Sequence, residues 1–331
     1  MKKISFLLLG IMLSCTAQEK AAPKLVVEDD AFYNYVAKDT EIEVLAEGFT
    51  WSEGPVWVKE GGYLLFSDVP QNTIFKWKEG EGISEFLKPS GYTGILPYSR
   101  EPGSNGLTIN NDGELVASEH GDRRITRMPF VGGGKFTLAD TWEGKRFNSP
   151  NDVVQASNGT YYFTDPPYGL PKQQDSEIRE IDAFGVYKIG TDGSVEMVVS
   201  NLNRPNGVAL SPNEKILYVT QSDFKAAYIM AYTVQEDGTL DEGRIFFDAT
   251  PTIKPGLRGL PDGIKVDKNG TVFSSGPGGI LIITPEGKLL GRIDTGQPTA
   301  NCAWGDDGSV LYMTANNFLM RVQTKTVGNG F

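Results

Sequence analysis

Arg204-Pro205-Asn206-Gly207-Val208-Ala209-Leu210-Ser211-Pro212-Asn213-Glu214-Lys215-Ile216-Leu217-Tyr218-Val219-Thr220 sets an amide side chain at the start of a short apolar run. A polar turn and a second apolar run closing on Thr follow. The pattern recurs with Glu53, Asn105, Asn151, Asp262 and Asn301 in the place of Asn206, at intervals of roughly fifty residues, the spacing of propeller blades or solenoid units. The runs are short and rich in Val, Ile, Tyr, Phe and Thr. Pairs such as Asp112-Gly113, Asn158-Gly159, Asn269-Gly270 and Asp307-Gly308 punctuate them as hairpins, which rules out helical repeats. Six units of antiparallel strands predict an all-β, six-bladed β-propeller.

Outward from that stretch, the last copy supplies only three strands, the third at Phe318 to Gln323. Glu41 to Ala46 alternates polar and apolar residues ahead of the first copy. An N-terminal strand there completes the last sheet and closes the ring, removing the exposed edges at its seam. The expected organisation is an export signal over residues 1–15, a tether and N-terminal extension over 16–40, and the propeller over 41–331. Lys2-Lys3 followed by an apolar run from Ile4 to Leu13 reads as a signal too short to span a bilayer. Cys15 at its end is similar to the lipidated cysteine of bacterial lipoproteins, so the expectation is export to the periplasm or cell envelope, lipid-anchored at Cys15. That is the membrane contact expected. Cys302 then has no disulfide partner and reads as a small buried hydrophobe.

Of 331 residues, 39 are Gly and 19 Pro, a turn-rich profile, and 39% are apolar, enough for a sizeable core. Formal net charge is −11, with no basic patch to neutralise phosphates, which argues against nucleic acid and favours cationic ligands. The first strand of each blade lines a propeller's channel, so the six key residues converge on one mouth of it. Two carboxylates and four amides form a ring of oxygen acceptors that suits a hard divalent ion, Ca²⁺ first, with Mg²⁺, Mn²⁺ or Zn²⁺ as substitutes. Zinc ranks last, since the chain has one histidine and no thiolate cluster. Turn-forming is the competing explanation for Asn-Gly and Asp-Gly pairs. It is weaker here because each copy has a separate turn further on and Glu53 is not a turn former.

The motifs Glu53-Gly54-Pro55-Val56-Trp57, Ser104-Asn105-Gly106-Leu107, Glu119-His120-Gly121, Ser149-Pro150-Asn151-Asp152, Asp165-Pro166-Pro167-Tyr168-Gly169, Arg204-Pro205-Asn206-Gly207 and Pro261-Asp262-Gly263 together resemble the regucalcin/gluconolactonase family of calcium-dependent propellers. The Glu-His-Gly and Asp-Pro-Pro-Tyr-Gly motifs look like its bacterial gluconolactonase branch. The resemblance implies that Glu53, Asn151, Asn206 and Asp262 bind the metal, that Asp262 also handles a proton, and that lactones are the substrates. Vertebrate members carry a substrate-binding arginine where this chain has Ser149, so their sugar-acid specificity is not transferred. His120, the lone imidazole, is expected either as a catalytic or substrate-binding group or as a structural histidine. Asn105, Arg123, Asp165, Tyr168 and Asn301 are the remaining candidates for substrate contact. The expected chemistry is metal-assisted lactone hydrolysis, with no serine nucleophile indicated. A calcium-dependent phosphotriesterase, a sugar lyase or isomerase, and a non-catalytic ligand-binding propeller are the alternatives.

Overall fold

The computed structural model describes residues 22–331, so the export segment, Cys15 and the start of the tether lie outside the described residues. Six antiparallel sheets follow one another around a channel, each with its innermost strand against those of its neighbours. Those inner strands are Ser52–Val58, Ser104–Ile109, Val153–Gln155, Pro205–Leu210, Ile264–Val266 and Thr299–Gly305, for blades 1 to 6. Blades 1 to 4 are continuous four-stranded meanders. Blade 6 is closed by Ile42–Glu47, which pairs with Phe318–Gln323 in the register Ile42 to Val322 and Glu47 to Phe318, as the unsatisfied edge required.

Part of the stretch preceding that strand is built into the propeller. Lys24–Val27 pairs with Leu289–Asp294 as a fifth strand on blade 5. The 3₁₀ turn Asp30–Asn34, capped by the Asp29 carboxylate on the Ala31 N–H (2.8 Å), then sends Phe32 and Val36 into the core between blades 5 and 6. Hydrophobic packing is otherwise divided among the interfaces of neighbouring blades. Trp57 stacks on Tyr312 across the blade 1 and blade 6 seam, and Phe163 on Tyr187 within blade 3.

Four inner strands carry an extra residue against their partners just where the recurring polar residue sits. Glu53 faces Ser67 while Val56 faces Leu65, and the same slip occurs between Ser104 and Leu107, Pro205 and Val208, and Thr299 and Asn301. A bulge re-aims a side chain, and here it marks the ring. The glycine that follows the polar residue has a packing cause. A Cβ on Gly54 would lie 1.9 Å from the Asn105 carbonyl oxygen, one on Gly207 2.1 Å from that of Asp262, and one on Gly263 2.0 Å from Asn301 Oδ1. Neighbouring inner strands therefore touch through glycine.

Candidate functional site

Second-strand hydroxyls bind the ring together. Ser67 Oγ donates to the Asn105 carbonyl (2.8 Å), Thr164 Oγ1 to that of Asn206 (2.5 Å) and Thr220 Oγ1 to that of Asp262 (2.6 Å), each from one blade to the next. The Ser or Thr closing those strands is thus an inter-blade strut. Above the ring opens a cavity of about 320 Å³ whose lining includes all four expected metal ligands, Glu53, Asn151, Asn206 and Asp262, together with Asn105 and Tyr168.

Burial sets the electrostatics. Glu53 is 2% exposed, and burial lifts its pKa to about 7, with the charges of Asp152 and Glu101 adding and the Gly54 N–H and Asn301 amide opposing. The Asp262 carboxyl is held well above the usual range, by burial first and then by Glu53, Asp152 and Glu101. Asn206 donates Nδ2 to Ser222 Oγ (2.8 Å), yet its Oδ1, like that of Asn105, is buried and accepts no hydrogen bond. A buried and a half-buried carboxylate beside two unsatisfied amide oxygens form a donor set for a hard cation. Among the described residues no three His, Cys, Asp or Glu side chains cluster closely enough to hold an ion, so the amides are needed to complete the set.

His120 is fully buried and stands behind the pocket instead of lining it. Burial pushes its pKa down to about 4, so the ring is neutral. Nδ1 lies 3.2 Å from the Glu101 carbonyl and carries the proton, leaving Nε2 to accept from Asn105 Nδ2 at 3.4 Å. Its place is to turn the Asn105 amide, with Oδ1 left unbonded. Neither Arg123 nor Asp165, expected at the substrate, reaches the cavity. Arg123 donates to the backbone carbonyls of Phe147, Ile178 and Arg146 and pairs with Glu180 at 3.6 Å, so its guanidinium is spent on tying loops together. Asp165 accepts from the N–H groups of Asn148 (2.7 Å) and Ser149 (2.8 Å), and so fixes the approach to Asn151. Asn301 also lies outside the lining, donating Nδ2 to Glu53 Oε2 at 3.3 Å and accepting the Cys302 N–H at 2.9 Å.

The Asp-Pro-Pro-Tyr-Gly loop delivers Tyr168. Ser149 Oγ donates to the Pro166 carbonyl and accepts from the Gly169 N–H (3.0 Å), and a Cβ on Gly169 would sit 2.4 Å from His120 Cβ. Three pocket groups escaped the sequence reading. Glu101 comes from the long connection between blades 1 and 2, and burial raises its pKa. Arg204 is the one cation in the lining, its guanidinium 5.6 Å from the Tyr168 ring centroid and held by Gln174 Oε1 at 2.9 Å. Trp51, Phe224, Leu260 and Pro298 form an apolar wall. Arg204 lies in the very stretch quoted first, two residues before the key Asn206. That offset was the available signal for it.

Fold and site define a class: six-bladed propellers with a polar, acceptor-rich pocket at one mouth of the channel. The chain belongs to the SMP-30/Gluconolactonase/LRE-like family, whose profile matches residues 51–317. It is 43% identical over 300 residues to a gluconolactonase of Zymomonas mobilis, an alignment covering 87% of this chain and 83% of that protein. It is 26% identical over 272 residues to the pentonolactonase XacC of Haloferax volcanii, covering 79% and 80%. A gluconolactonase structure from Xanthomonas campestris superposes with a TM-score of 0.78 at 31% identity, covering 92% of this chain and 95% of that one. A calcium-binding regucalcin from Agrobacterium tumefaciens, at 17% identity and a TM-score of 0.67 over 88% and 96%, shares the fold.

Proposed function

We propose that the protein is a lactonase of gluconolactonase type, opening sugar lactones with the help of a divalent cation, Ca²⁺ first. The observation that carries the metal is the pair of buried, unbonded oxygens, Asn105 Oδ1 and Asn206 Oδ1, in the same pocket as the carboxylates of Glu53 and Asp262. The lactone rests on the gluconolactonase relatives. Glu53, Asn151, Asn206 and Asp262 would hold the ion, with Asn105 beside them. When bound, such an ion polarises a carbonyl and keeps nearby carboxylates ionised.

The chain's own groups do the rest. Asp262 takes a proton from water as the water oxygen bonds to the lactone carbonyl carbon. The ring C–O bond then breaks, and the leaving oxygen takes the proton back to give the hydroxy acid. Arg204 and Tyr168 hold the sugar hydroxyls on one side, and the apolar wall excludes water on the other. The protein works outside the cytoplasm, attached through Cys15.

The test is to strip the protein with a chelator and assay glucono-δ-lactone, other aldonolactones and a phosphotriester, before and after returning Ca²⁺, Mg²⁺, Mn²⁺ or Zn²⁺. Lactone turnover is expected to vanish with the ion and to return best with Ca²⁺. Full turnover in the stripped protein, or preferred turnover of the phosphotriester, would overturn the proposal.

A further inference from the structure

Glu101 is the one carboxylate in the pocket lining that the chemistry above leaves without a task. It lies in Arg100-Glu101-Pro102-Gly103, at the end of the long connection that leads into the inner strand of blade 2. Pro102 restricts the residue before it to extended backbone. The carbonyls of Glu101, Pro102 and Gly103 are then all caught by two consecutive residues just past the second strand of the same blade. His120 Nδ1 donates to that of Glu101 (3.2 Å), the Gly121 N–H to that of Pro102 (3.0 Å) and the His120 N–H to that of Gly103 (3.1 Å). A Cβ on Gly121 would lie 2.6 Å from the Pro102 carbonyl oxygen, so this close approach needs glycine. The Glu-His-Gly motif thereby clamps the backbone that carries Glu101.

The side chain so held is half-buried and shares the cavity with Glu53, Asp262, Arg204 and Tyr168. Its carboxyl reaches towards the ring, since its charge raises the pKa of both Glu53 and Asp262. Among the described residues that carboxyl takes part in no hydrogen bond and no ion pair, although the Glu101 N–H donates to Ser99 Oγ (3.3 Å). Asp68, Glu119 and Asp165, buried carboxylates of neighbouring blades, each accept from an N–H of the protein. Glu101 is therefore an acceptor placed by the fold and left without a donor, which a ligand has to supply. A sugar hydroxyl is such a donor. Arg204, entering from blade 4, offers only donors, so a polyhydroxylated ring lying between the two satisfies both.

We propose that Glu101 is the specificity-determining residue of the pocket, accepting a hydroxyl of the substrate and so selecting polyhydroxylated lactones over bare ones. This role presupposes the lactonase reading of the pocket. A site built to hydrogen-bond a hydroxyl rejects the analogue that lacks it, because its own polar group is then left unpaired.

Steady-state rates of wild type, Glu101→Met and Glu101→Gln test it, at Ca²⁺ that saturates the wild type, on glucono-δ-lactone and on δ-valerolactone, the same six-membered ring without hydroxyls. Glu101→Met keeps the length of the side chain but not its oxygens. It is expected to lower kcat/KM for glucono-δ-lactone about 10 to 100-fold, chiefly through KM, and to leave δ-valerolactone within about threefold of wild type. Glu101→Gln retains one acceptor oxygen and is expected to lose less, roughly three to tenfold. Equal losses on both lactones, or a loss carried by kcat alone, overturn the assignment, as does an unchanged preference in both variants. Rates that return on both lactones when more Ca²⁺ is added make Glu101 a ligand and overturn it too. Where the wild type leaves δ-valerolactone untouched, the KM against kcat split on glucono-δ-lactone decides. Should Glu101→Met fail to fold, Glu101→Gln decides alone. A wild type that opens neither lactone overturns the lactonase reading itself.

Discussion

Asp262 and Glu53 are the two ring carboxylates in one pocket, one half-buried and one buried, yet the proposed chemistry separates their roles. Asp262→Asn keeps shape and one oxygen but cannot take a proton. Saturated with Ca²⁺, it is expected to turn over lactone about 10² to 10⁴-fold more slowly. Glu53→Gln is expected to lose activity through lost metal, and excess Ca²⁺ should restore most of it. Steady-state rates over a calcium series compare the two, and a calcium-saturated Asp262→Asn working at the wild-type rate would make Asp262 a ligand alone. The ring residues were legible in the sequence because a polar side chain before each apolar strand is costly unless it faces a polar channel. His120 was harder, since a lone histidine looks the same in a pocket and behind one. Burial decides it, and burial here comes from Gly169 and Glu101, which lie far from it in sequence.

At the scale of strands, the channel mouth is held by hydroxyls and glycines shared between blades. Thr220 Oγ1 donates to the Asp262 carbonyl and accepts the Gly207 N–H at 2.7 Å. Thr220→Val keeps the shape but leaves both backbone groups without a partner, at a cost of about 1–3 kcal/mol. Urea denaturation should show that loss, and a change below about 0.5 kcal/mol would mean that the groups find other partners. Strand order, blade number and turn positions could be read from the period and the alternation. The struts could not. A Thr at a strand end reads as ordinary β-propensity until the next blade's carbonyl is seen above it.

One strand closes the ring and a second, further out, clasps it. Ile42–Glu47 completes blade 6, as the missing fourth strand led one to expect, but Lys24–Val27 on blade 5 was not foreseen. No edge called for a fifth strand, and the sequence reading places this segment only within the tether and N-terminal extension of residues 16–40. Phe32 is in fact fully buried among Phe273, Ile280 and Met313 of blades 5 and 6. Phe32→Ala is expected to lower stability by about 3–5 kcal/mol, measured by denaturant unfolding. A loss under about 1 kcal/mol would mean that the cavity collapses or that the segment is dispensable. The clasp also governs where a mechanical load would go. Any pull on the chain ahead of residue 24 runs first into four paired residues on blade 5, then into the wedge of Phe32 and Val36, before it reaches the strand that shuts the ring. The seam is thereby spared the strain, much as a knot inside a plug keeps a tugged cable from drawing on its solder joints.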